Sequence, residues 1–278
     1  LGVIYYAINA GTSTFQLSLQ RGGTAITVGS TGTAVKAISL NDSFDTIYIL
    51  PAHVENISSA TALNVNVAGT KIIGLGIDEN RPTFYLDTGT TTTITVSVPC
   101  VSINNIIIDG TGFAAIASMV TITAAATDVE FNNCKFIHAN STNQAGIVLT
   151  ATTAHRFKFN GNRVIGSGNS GTTNALQLIG SDDVEIRNNY FFGNYTTSLG
   201  PINNITTGCA RILIENNTLI NNTASSTKAI VLVAGTTGMI RNNSIGILSG
   251  TAPITGAGIW VSGNYYAAAT GVSASVLI

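Results

Sequence analysis

Charge is what this chain most lacks. Only 9% of its 278 residues are Asp, Glu, Lys or Arg, against about 25% in an ordinary soluble domain. With a net charge of −1, it has no basic stripe for nucleic acid and no acidic tail for a basic partner. Long hydrophobic runs are missing too, although 45% of the residues are hydrophobic. The longest apolar stretch, Phe113 to Ala126, is broken by Ser and Thr and falls short of the roughly 20 residues a membrane-spanning helix needs. Neither nucleic acid nor a membrane is therefore expected as a partner. Three cysteines (Cys100, Cys134 and Cys209) are too few and too scattered for a disulfide framework, and no CxxC or His/Cys spacing points to zinc. They read as buried free thiols, and no metal or cofactor is expected. The opening LGVIYYAINA has neither the charged region and cleavage site of a signal peptide nor an initiator Met, so the chain reads as a processed or incomplete piece.

What is there instead is a repeat. VSINNIII (101–108), VEFNNCKF (129–136), FKFNGNRV (157–164), VEIRNNYF (184–191), ILIENNTL (212–219) and GMIRNNSI (238–245) follow one another at steps of 28, 28, 27, 28 and 26 residues, and a shorter step reaches WVSGNYY (260–266). Between them lie second apolar runs, among them MVTITA (119–124), GIVLTA (146–151), ALQLIG (175–180) and AIVLVAG (229–235). The runs are short, alternating or β-branched, and bounded by Gly, Asn, Ser and Thr, which is the pattern of strand and turn. No helical stripe of useful length occurs, and the longer WD40 and kelch periods do not fit. The spacing predicts an all-β fold, a right-handed parallel β-helix of about eight rungs over residues 41–278, preceded by a small antiparallel β-module and cap over 1–40.

Stacking the repeats in register makes columns. Ile103, Phe131, Phe159, Ile186, Ile214 and Ile240 form one inward column. Ile108, Phe136, Val164, Phe191, Leu219 and Ile245 form another. Between them run Ile106, Cys134, Asn162, Asn189, Asn217, Asn243 and Asn264, whose amides, one strand spacing of about 4.8 Å apart, are placed to bond up and down the stack. Asn189→Leu is therefore expected to cost more stability than Asn221→Leu. Charges alternate in sign along the same columns: Asp128, Arg156, Asp183 and Arg211; Glu130, Lys158 and Glu185; Arg187, Glu215 and Arg241. Each is expected to meet its opposite one rung away.

The N-terminal third departs from the repeat. Its alternating apolar and polar residues and turn signals suggest the small module, with one helical turn over Thr33 to Leu40 covering the open end of the coil. DTIYILPAHVEN (45–56), followed by VNVAGTKIIGLGIDENRPTF (65–84), resembles right-handed β-helix proteins of tailed bacteriophages and prophages, within the pectate-lyase-like superfamily. YYAINAGTSTFQLSLQRGG (5–23) resembles a small β-module of phage virion proteins. The resemblance implies a virion structural protein on the particle exterior, such as a tail fibre, spike or head decoration. Such proteins are often trimers, so a homotrimer in contact with other virion proteins is expected, with host surface glycan as a further candidate partner.

Because many right-handed β-helices cleave polysaccharides, a depolymerase with an inter-subunit active site is the rival reading, and a secreted adhesin is a third. Glycoside hydrolysis needs two carboxylates about 5–9.5 Å apart. Asp182 and Asp183 are the candidates, but "GSDDVEI" stands alone and Asp183 falls between Arg156 and Arg211 in its column, so a turn-and-ladder role is the simpler expectation. His53 and Glu55 read as a structural pair, and His138 as a solvent-facing residue after a strand. Trp260, Tyr265 and Tyr266 read as an aromatic cluster near the C-terminus, and Tyr190 and Tyr195 as lying on or beside an outward column; packing at an end or between subunits is the simpler expectation, and a glycan-binding face the alternative. The apolar tail GVSASVLI is expected to leave an edge that a partner or further chain covers.

Overall fold

The computed structural model describes residues 6–8, 16–18, 45–86, 91–112, 116–138, 145–166, 171–195, 199–223, 226–249, 252–268 and 276–277. Contacts divide the chain into two units, Leu1–Leu40 and Asn41–Ile278. In the first, Tyr6–Ile8 pairs antiparallel with Gln16–Ser18; the expected helical turn over Thr33 to Leu40 lies outside the described residues.

The second unit is a parallel β-solenoid with three faces. The first sheet has nine strands, from Thr46–Ile49 to Ile259–Ser262. The second has eleven, from Val54–Ile57 to Tyr265–Ala268, with the short Gly171–Thr172 strand beside Tyr190–Tyr195 and Val276–Leu277 at its end. The third has eight, from Leu63–Val65 to Ile254–Thr255. Each turn of chain visits the three in that order, and every strand bonds the strand about 27 residues on, as Phe131↔Phe159 and Phe159↔Ile186 do.

The corner between the first and second sheets explains the asparagine pairs. A two-residue turn joins strands such as Glu185–Arg187 and Tyr190–Tyr195. Its first residue must turn left-handed, at φ +57 for Asn188, +56 for Asn216, +55 for Asn242 and +66 for Gly161, and Asn and Gly tolerate that conformation best. Its second residue points inward. Asn189 Nδ2 donates to Phe159 O (2.7 Å) and to Asn217 Oδ1 (2.9 Å), and the Asn189 backbone N–H donates to the same Oδ1 (2.9 Å). The pattern repeats at Asn162, Asn217 and Asn243, and Asn264 closes it by donating to Ile240 O at 3.0 Å. The two apolar columns on either side are buried as expected, and Phe136, Phe159 and Phe191 stack through them at centroid distances of 5.4 and 6.0 Å.

The charge columns keep their register, but not every charge meets the predicted partner. Arg156 forks onto Asp128 (2.6 Å to each oxygen), Arg211 onto Asp183 (2.6 and 2.8 Å), and Arg241 meets Glu215 (2.7 Å). Arg187 instead lies 3.4 Å from Glu185 of its own strand, because both side chains leave the same face two residues apart. Lys135 reaches across two turns to Glu79 (2.6 Å). Other expectations also need correction. Cys100 sits exposed in a left-handed turn (φ +60) rather than buried. Asn221 is fully buried and accepts the Tyr195 N–H at 3.1 Å, so it is no mild reference for Asn189. At the C-terminal end, Val276–Leu277 pairs antiparallel with Tyr265–Tyr266 of the second sheet.

Candidate functional surface

The third corner, where the third sheet returns to the first, carries the two candidate catalytic carboxylates. Asp182 Oδ1 accepts the Ala210 N–H at 2.7 Å, and the Asp182 N–H donates to His155 Nδ1 at 3.1 Å. That carboxylate caps the backbone of the next turn. Asp183, itself left-handed at φ +57, is gripped by the Arg211 guanidinium, which holds its carboxyl below the usual carboxylate range. A glycosidase's general acid needs the opposite, a carboxyl raised by an apolar pocket. His53 and Glu55 pair at 3.4 Å near the surface. Among the described residues no group of three or more His, Cys, Asp or Glu side chains converges as metal ligands, and no helix is long and apolar enough to cross a membrane.

The candidate aromatics separate. Trp260 stands out from the last strand of the first sheet with 76% of its surface exposed, and Tyr265 from the last turn of the second with 58%. Tyr265 borders a shallow, almost wholly apolar groove lined also by Ile220, Ile245, Gly246 and Ala267. Tyr190 is half-buried with the Arg163 guanidinium 5.5 Å above its ring. Tyr195 is not an outward residue at all. It is fully buried, as is His138, which had been expected in solvent. Both extend inward because their strands, Tyr190–Tyr195 and Lys135–His138, continue the alternation set by Phe191 and Phe136.

A further surface was not foreseen. Tyr48, Leu50, Val54 and Ile77, all more than 60% exposed, cluster about the first corner of the first two turns.

No family model and no curated protein matches this chain. Among solved structures it is similar to the crystal structure of PfbA, a surface adhesin of Streptococcus pneumoniae, at 9% identity, covering 81% of this chain and 84% of that one with a TM-score of 0.25. At that level the likeness carries no functional argument, and the parallel β-solenoid rests on the strand register itself.

Proposed function

We propose that this chain is a mechanical and adhesive element of a tailed-phage particle, displayed on its exterior as a homotrimer and lacking catalytic activity of its own. The observation that carries the reading is the commitment of its polar groups. The inward amides bond the turns above and below, Asp182 caps a neighbouring turn, and Asp183 is tied to Arg211. A scaffold spent on its own stiffness suits a rod better than a reaction site. The phage-like segments at 5–23, 45–56 and 65–84 support the virion placement. Trp260 and Tyr265 are the side chains we assign to contact with host glycan.

Purified protein incubated with host capsule or lipopolysaccharide tests this directly. Retention on the polysaccharide without release of new reducing or unsaturated ends is the expected result. Trp260→Ala combined with Tyr265→Ala should weaken retention about tenfold, a loss of about 1.4 kcal/mol, at an unchanged melting temperature. Turnover that disappears in Asp182→Asn/Asp183→Asn would overturn the proposal in favour of a depolymerase.

A further inference from the structure

Among the described residues seven large apolar side chains are exposed, and five of them, Tyr48, Leu50, Val54, Leu75 and Ile77, belong to the first corner of the first two turns. The turn itself does not ask for them. From the third turn on, the same corner is made with asparagine or glycine, at Asn105, Asn133, Gly161 and Asn188. Nor does the core ask for them. Tyr48 alternates with Ile47 and Ile49, which pack inward, and Val54 lies in register with Thr83 on the outer side of the second sheet. A contiguous apolar patch that the fold does not require marks contact with another molecule.

The patch wraps the corner. Tyr48 stands on the first-sheet flank and Val54 on the second-sheet flank, with Leu50, Leu75 and Ile77 in the loops between. Each flank also carries an exposed charge with no ion pair among the described residues. On the first it is Lys71. On the side leading into the second sheet, Glu79 is held by Lys135, and half-buried Arg81 is spent on the carbonyls of Asp78 and Asn133. The Asp78 carboxylate is the one left over there.

A flat partner cannot cover both flanks of a convex corner, and two such corners related by a two-fold axis touch only along their apex. Three corners meeting on a three-fold axis cover everything, because each first-sheet flank then lies against the second-sheet flank of the next copy. An axis parallel to the solenoid keeps equal turns level. Tyr48 then faces the next copy's Val54 in the first turn, Lys71 faces its Asp78 in the second, and Leu50 and Ile77 gather at the axis. We propose that this corner is the contact through which three copies of the chain assemble. The proposal rests on the homotrimer put forward above and adds the surface that makes it. Trp260 and Tyr265, at the other end of the solenoid, are left free for glycan.

Sedimentation of the full chain and its variants tests the corner. Leu50→Ser/Ile77→Ser changes two exposed side chains, and is expected to give a folded monomer at concentrations where the wild type is a trimer. A second variant reads the geometry. In a Cys100→Ser background the remaining thiols, Cys134 and Cys209, are buried. Oxidation of Tyr48→Cys/Val54→Cys in that background should yield a covalent trimer, and either new cysteine alone should yield no cross-link. Should the serine variant fail to fold, the cysteine pair decides. A wild-type trimer that survives Leu50→Ser/Ile77→Ser, or that oxidation of the cysteine pair does not link, overturns the corner and leaves the homotrimer standing. A covalent dimer from Tyr48→Cys alone overturns the three-fold arrangement in favour of a two-fold one. A wild-type monomer removes the homotrimer and the corner together.

Discussion

The solenoid turns its first and second corners by different means. At the first, one two-residue turn recurs from turn to turn, and one side-chain type solves the same problem each time: an inward amide that bonds the turn above and the turn below. At the second, the strands entering the third sheet run for seven, eight, six, three and then two residues. The backbone there bulges: the N–H groups of Ala175 and Leu176 both donate to Pro201 O, and those of Ala229 and Ile230 both to Pro253 O. Irregular length prevents a ladder, so each turn is sealed by residues used once, such as His138, Thr172 and Tyr195. Regularity lets each inward amide of the ladder find its partners. Without it, on the third sheet, Asn174 and Asn203 bury both amide atoms with no hydrogen bond.

Substituting the same residue type in the two regions should expose this difference most sharply. Asn189→Leu removes the acceptor of the Asn162 N–H and the donor to Phe159 O. The buried Asn162 N–H is then orphaned, at about 1–3 kcal/mol, and Phe159 O loses its second donor. The urea midpoint should fall accordingly, with exchange protection lost first in the turns holding 159–164 and 184–191. A change under about 1 kcal/mol would mean that the ladder follows from the register rather than holding it.

The first corner was legible in the sequence because stacking repeats a chemical requirement at a fixed interval. One asparagine has to turn left-handed and the next has to bond inward, so the pair itself marks the corner, and the columns on either side follow. The charge columns were legible as register but not as contacts. Arg187 has Glu215 in register and Glu185 on its own strand, and only side-chain packing chooses between them. The second corner was misread for lack of a period. Tyr195 sits four residues after Phe191 and His138 two after Phe136, even offsets that place both inside wherever the strand continues. Gly166 and Gly193, inward and without side chains, were the available signal that something large fills that space. The candidate surface was half legible. Trp260 and Tyr265 are exposed, and so are Tyr48 and Ile77, which nothing in the repeat pattern singles out.

The irregular region should respond to leucine with the opposite sign. Asn203 pairs in register with Gln177 and Val231, has no exposed surface, and leaves both amide atoms unbonded. Asn203→Leu replaces an unsatisfied buried amide with an apolar group of similar size, and is expected to raise stability by about 1–2 kcal/mol. A raised urea midpoint with an unchanged slope would register the gain. A loss comparable to that of Asn189→Leu would place a bound water on Asn203 and erase the contrast between the regions.

The smallest effect separates the two residues of the first corner's turn. Asn216 is exposed and left-handed at φ +56, and its side chain bonds only Glu215, at 3.4 Å. Its role is therefore backbone conformation, while its neighbour Asn217 is committed to the ladder. Asn216→Gly should be neutral within about 0.5 kcal/mol, the extra freedom of glycine when unfolded offsetting its ease in that conformation. Asn216→Ala should cost about 1 kcal/mol, because an ordinary side chain meets the following carbonyl there. Thermal unfolding of the pair measures the difference. Equal melting points would mean that the corner is held by its inward amides alone, and that the first asparagine of each pair is interchangeable with any small residue.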